Sequence, residues 1–153
     1  MDENAPSMHM ENNEILYSDS AIVRFKLTSP LMLQYDQDPK DQYLEFPNGI
    51  HIERYDSNME IITKITADYA RQFTKDQRWL ARNNVVVVNN VGDTLKTEEL
   101  YWDQKYENIY TDKFVTIVRQ DRIINGIGMK SDQAINNWVI NNISGIMYLQ
   151  VEE

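Results

Sequence analysis

The residues best able to do chemistry in this chain are two histidines, two adjacent glutamates, a pair of glycines and a rich set of aromatics. His9 and His51 are the complete histidine inventory, and there is no cysteine. Thiolate metal sites, disulfides and cysteine nucleophiles are thereby excluded, and two histidines cannot build a multi-histidine metal centre. His51 lies between Ile50 and Ile52 in an alternating stretch. That phase turns its ring toward solvent, opposite the core, and away from a Ser-His-Asp arrangement. Glu98 and Glu99 are neighbours, so on a strand they point to opposite faces and do not form a carboxylate pair. A pair drawn from two different strands, facing one sugar, stays open as a carbohydrate-enzyme alternative. Gly126-Ile127-Gly128 is a fragment of a phosphate-loop pattern, but no helix follows it. Asn142-Ile143-Ser144 is a formal glycosylation sequon set inside a strand. The expectation is a protein without catalytic residues, metal or cofactor.

Charge narrows the partners. The chain of 153 residues carries 15 Lys and Arg against 24 Asp and Glu, a net charge of −9. Nucleic acid is excluded as a partner, because phosphate neutralisation needs a basic face, and so is a polybasic hold on anionic lipid. No stretch approaches the roughly 18 apolar residues of a membrane-spanning helix. The length fits one domain with one core. Residues 1–17 are polar and acidic and read as a flexible leader, the remnant of a removed anchor or signal, with room for one helical turn. The folded domain is expected over residues 18–153.

The elements that position these groups are strands. Val23, Phe25 and Leu27 alternate with Arg24, Lys26 and Thr28, the pattern of a half-buried antiparallel strand that Pro30 interrupts. Leu31, Leu33 and Tyr35 line the next stretch, and 36–42 reads as a loop. Asn48-Gly49 marks a tight turn, and Val85 to Val88 is an unbroken β-branched run. Ile62 to Ala70 can be forced onto a helical period, but its β-branched content favours a strand. The fold class is all-β.

A repeat organises the strands. Tyr43, Trp79, Ile109 and Trp138 each open a phrase of one large apolar residue, a polar step and an apolar strand, recurring at about 30 residues. Thr66-Ala67-Asp68-Tyr69 and Thr97-Glu98-Glu99-Leu100 form a second matching set. A unit of this kind cannot bury its apolar face alone, so the units must stack. The stack has a continuous apolar inner seam, assigned to Ile50, Ile52, Val85, Val87, Val115, Ile117 and Ile146. It also has two ends with unpaired edges suited to recruiting another strand, assigned to Val23, Phe25 and Leu27 at one end and Ile143 and Met147 at the other. Trp79 and Trp138 hold equivalent repeat positions and read as core. Tyr101 and Trp102 point to opposite faces.

One run of residues is more specific than a β pattern. Gly92-Asp93-Thr94-Leu95-Lys96-Thr97-Glu98-Glu99-Leu100-Tyr101-Trp102-Asp103 is followed by Ile109-Tyr110-Thr111-Asp112-Lys113-Phe114-Val115 and Ile124-Asn125-Gly126-Ile127-Gly128-Met129. This resembles the G-x-x-L-x-T-x-x-L-x-W-D, I-x-T-D-x-x-V and G-x-G signature of the LptC family, the lipopolysaccharide-export bridge components, and their LptA/OstA relatives. The specific match spans about Thr66 to Ser131, and a strand-level match runs from Ser18 onward. The resemblance implies a single open, twisted β-jellyroll in the periplasm of a Gram-negative bacterium, tethered to the inner membrane by an N-terminal anchor. It implies that lipopolysaccharide is taken from an inner-membrane ABC transporter and passed to an LptA-like bridge protein, acyl chains lying in the apolar groove. An edge-pairing adaptor that never holds lipid is the alternative.

Overall fold

The computed structural model describes residues 5–150. The described residues form eleven strands: β1 (Met8–Asp19), β2 (Ile22–Tyr35), β3 (Tyr43–Phe46), β4 (Ile50–Tyr55), β5 (Ile61–Ala67), β6 (Tyr69–Phe73), β7 (Arg78–Asn89), β8 (Thr94–Asp103), β9 (Asn108–Val118), β10 (Arg122–Asp132) and β11 (Trp138–Tyr148). All belong to one sheet, and every pairing is antiparallel. β3 with β4, and β5 with β6, each act as one long strand broken in the middle, because β2 and β7 pair with both halves. The fold is therefore a meander of nine long strands. It is all-β, as the period-two pattern predicts.

Most of the long strands change direction at one level, and there the repeat acquires its physical meaning. The bends fall at Pro47-Asn48-Gly49, Asp68, Arg82-Asn83-Asn84, Glu98, Asp112-Lys113-Phe114 and Gly126-Ile127-Gly128. Asn83 and Asn84 have φ of 68° and 53°, and the pairing with β8 slips between Arg82 and Val85. Asparagine tolerates this left-handed region better than other non-glycine residues, so the polar step is the hinge of the strand. Burial in β7 and β9 passes from a covered half through exposed residues to a second covered half. Gly126 sits where a Cβ would meet Asn142 O at 2.7 Å, and Gly128 has φ +78° beside the Asn141 side chain. These glycines let β10 bend against β11; they do not open a phosphate-binding helix.

The aligned bends crease the sheet into two leaves that face each other. Leaf 1 carries Leu27, Ile52, Ile65, Val85, Val87, Leu95, Val115, Ile117 and Ile124; leaf 2 carries Phe46, Ala70, Trp79, Ala81, Leu100, Trp102, Ile109 and Met129, all buried. Phe25 of leaf 1 meets Trp102 edge-on at 5.1 Å and Trp79 at 6.2 Å on leaf 2. Trp79 also stacks on Phe46 and Trp102, at 5.8 Å in each case. The core is the space between the leaves.

The structure corrects two expectations about the ends. Residues 8–17, read as leader, belong to β1, which pairs along β2 from Met8↔Gln34 to Asp19↔Ile22. Its polar composition reflects edge position, since one side faces solvent and only Asn13, Ile15 and Tyr17 are turned in. The expectation for 1–4 lies outside the described residues. Consequently Val23, Phe25 and Leu27 do not form an edge: β2 runs between β1 and β4, and Phe25 and Leu27 are core.

Candidate functional site

The apolar face of leaf 1 is organised as a row in register. Cross-strand partners link Ile15↔Leu27, Leu27↔Ile52, Ile52↔Ile65, Ile65↔Val87, Val87↔Leu95, Leu95↔Ile117, Ile117↔Ile124 and Ile124↔Ile146. One apolar residue from each of the nine long strands thus lies on a single line across the sheet. β-branched side chains in facing positions interlock well on a pleated surface. From Leu27 to Ile124 the row is covered by leaf 2, and the line ends on β11 at Ile146, which is 45% exposed.

Six of the seven residues assigned to the seam are buried: Ile50, Ile52, Val85, Val87, Val115 and Ile117. Ile146 corrects the assignment of a buried seam residue. Its phase is the expected one, but among the described residues β11 is the edge strand of the sheet and leaf 2 leaves Ile146 uncovered. Ile143 and Met147, assigned to an edge, do lie on an edge strand and are 55% and 61% exposed.

Where the leaves part, they leave a cleft of about 840 Å³ lined by residues that include Tyr17, Arg24, Arg54, Gln72, Trp102, Gln104, Glu107 and Gln133. A polar chain crosses its floor. Tyr17 OH donates to Gln72 Oε1 at 3.0 Å, and Gln72 Nε2 donates to Gln104 Oε1 at 3.3 Å. Gln104 Oε1 also accepts from Trp79 Nε1 at 2.8 Å, and Trp102 Nε1 donates to Gln133 Oε1 at 3.0 Å. Both buried indoles thereby satisfy their donors. Arg54 is buried in the wall and donates through Nη1 to Thr63 Oγ1 and to Gln133 O, each at 3.3 Å. Burial lowers its pKa to about 10, with Glu107 and Asp132 pulling the other way. Burial likewise pushes Tyr17 up to about 12, partly offset by the Gln72 bond.

No sequence motif marks these polar residues, because they are scattered over many strands. A usable signal existed nonetheless: Arg54 shares the phase of Ile50 and Ile52, and Gln72 that of Ala70. A polar residue on the apolar phase of a strand is buried and must be bonded.

The groups considered for catalysis are dispersed. His51 faces away from the core, 3.3 Å from Glu53 Oε1. Glu98 accepts from Asn84 N at the bend, and Glu99 lies 4.0 Å from Arg82. Among the described residues Asp93 is the one buried carboxylate; it lies by the β7–β8 turn, with Arg119 at 3.5 Å. Among the described residues no two buried carboxylates face each other between the leaves. Trp79 is buried and Trp138 packs against the core, as their repeat positions suggest, and Trp102 is buried as well.

The described residues thus form a creased all-β sheet with an apolar interior, a polar mouth and an uncovered apolar edge. A family model described as lipopolysaccharide-assembly, LptC-related, matches residues 2–140. The chain belongs to the LptC-related family. Membership assigns it a role in the lipopolysaccharide transport bridge. The match also covers β1, which the motif resemblance had left aside. No curated protein matches the chain. Among the described residues no helix is long and apolar enough to cross a membrane.

Proposed function

We propose that this LptC-related chain works in the periplasm as a lipopolysaccharide carrier. It receives lipid from an inner-membrane ABC transporter and passes it to an LptA-like bridge protein, with the acyl chains held between the leaves. The observation that carries this reading is the nine-strand row from Ile15 to Ile146. It gives an acyl chain a continuous apolar track across the sheet, and the track emerges at the edge strand β11. Each acyl CH₂ removed from water contributes about 0.8 kcal/mol, so an apolar groove holds lipid without a specific polar motif. Transfer then needs no bond chemistry, only comparable affinities in adjoining grooves.

β11 is also the edge suited to the bridge protein. From Trp138 to Tyr148 it carries no charged residue, while Val139, Ile143, Met147 and Tyr148 are all more than half exposed. Natural edge strands usually guard themselves with charges or bulges, so an uncharged apolar edge is built to accept another strand. The opposite edge, β1, is guarded by Glu11, Glu14 and Asp19. The same edge would serve the adaptor alternative.

Photo-crosslinking separates the two readings. A benzophenone amino acid at Ile146 faces the line of the row, and at Met147 it faces the opposite side of β11; neither overfills the core. Lipopolysaccharide captured at Ile146 and not at Met147 supports the carrier. Capture of a protein partner at both positions with lipid at neither favours the adaptor.

A further inference from the structure

The β10–β11 loop, residues 133–137, is tied across the mouth of the interior. Its carbonyls take side-chain donors from leaf 1: Arg54 Nη1 to Gln133 O at 3.3 Å, Thr63 Oγ1 to Gln133 O at 3.5 Å, and Asn89 Nδ2 to Ala134 O at 3.1 Å. On the leaf 2 side Gln133 accepts from Trp102 and donates its N–H to Glu107 O at 3.2 Å. At the centre of the loop Ile135 is 1% exposed and belongs to the core cluster, although it has φ of 51°. A β-branched residue in the left-handed region is a true outlier, and such strain persists only where the surroundings impose it. The loop also has an internal frame. Asp132 Oδ1 accepts from Asn136 N at 2.8 Å and Asn137 N at 3.2 Å, and Asp132 O accepts from Ile135 N at 3.2 Å.

We propose that this loop is a displaceable plug: Ile135 fills part of the interior that an acyl chain takes, and the loop swings off leaf 1 when lipid loads. The proposal rests on the carrier reading. Three features favour displacement over a fixed structural role. The ties to leaf 1 are all side chain to loop carbonyl, and of the groups that make them Arg54 and Gln133 line the open cleft. Ile135 is the loop's one residue in the core cluster, so a single side chain leaves the interior when the loop lifts. The frame around Asp132 stays within the loop and its neighbours, so the loop can move as a unit.

A plug that must leave first lowers apparent affinity by the fraction of open molecules. Ile135→Gly removes the side chain and accepts the positive φ without strain. Binding of fluorescently labelled lipopolysaccharide to the full chain is then expected to tighten by about fivefold or more. Equal or weaker binding by a folded Ile135→Gly protein overturns the plug. Hydrogen exchange on the unmodified chain decides the matter even where the variant fails to fold. The Gln133 and Ile135 amides should exchange faster once lipopolysaccharide is added, while strand amides become more protected. Unchanged or slower exchange in the loop overturns the proposal. If the unmodified chain binds no lipopolysaccharide in the same assay, the carrier reading itself fails, and the two failures are thereby distinct.

Discussion

Gln104→Leu tests whether the mouth of the cleft is held by its polar chain. Gln104 Oε1 is the shared acceptor of Trp79 Nε1 at 2.8 Å and Gln72 Nε2 at 3.3 Å. Leucine has a similar volume and cannot accept. Trp79 is 2% exposed, so its N–H is left without a partner and without water. An orphaned buried donor costs about 1–3 kcal/mol. Gln72 lines the cleft, where water can replace its lost partner, and contributes at the lower end of about 0.5–1.5 kcal/mol. The two together give a loss of about 2–3 kcal/mol, a large share of the roughly 5–15 kcal/mol of a typical domain. In a chain of this size that corresponds to a melting temperature lower by about 5–10 °C. The assay is equilibrium urea unfolding, with the midpoint shifted at constant m. A double-mutant cycle with Trp79→Phe isolates the indole: once the donor is gone, Gln104→Leu should cost no more than about 1 kcal/mol. The same cost in both backgrounds, or a loss under about 0.5 kcal/mol in the unmodified protein, refutes the assignment of Gln104 as the pin of the mouth.

Other variants probe the remaining structure. Tyr17 has a folded pKa of about 12 against an ordinary 10.0, so its contribution is complete below pH 10 and disappears as pH rises through 12. Unfolding free energy measured at pH 9 and pH 11.5 should fall by up to about 2 kcal/mol more for the unmodified chain than for Tyr17→Phe; parallel losses contradict the burial argument. Gly126→Ala forces a Cβ to 2.7 Å from Asn142 O and should cost about 1–3 kcal/mol by denaturation, whereas Gly145→Ala, with nothing within 4 Å, should leave stability within about 0.5 kcal/mol. Ile143→Lys places a charge on the open edge at a position 55% exposed; the unfolding midpoint should hold while capture of an LptA-like partner falls at least about tenfold. Retained capture would move the docking edge away from β11.

Much of this architecture was legible as pattern. Alternation in Val23, Phe25 and Leu27, and in Ile50 and Ile52, names the inward face because successive side chains on a strand point to opposite sides. The polar steps after Trp79 and Ile109 are legible in the sequence as regular interruptions, whereas their role as hinges is not. They recur because neighbouring strands of a creased sheet must bend at the same level. The family signature rests on the same residues, Thr97, Leu100, Trp102, Thr111 and Val115, all buried between the leaves.

What the sequence by itself determined is the phase of each strand: which residues look inward, where the strand breaks, and that an apolar line including Ile52, Val87, Ile117 and Ile146 shares one face. What only the tertiary structure decided is whether anything lies opposite that face. Ile117 and Ile146 carry the same pattern and differ only because leaf 2 covers β9 and stops short of β11. The same holds at the other end, where β1 pairs along β2 and turns Phe25 from a presumed edge residue into the aromatic centre of the core. The two polar networks, Tyr17–Gln72–Gln104 and Arg54–Gln133, and the buried Ile135, come from residues distant in sequence that meet when the sheet creases. Local period encodes direction; burial is a property of the partner surface, and that surface exists only once the sheet has folded onto itself.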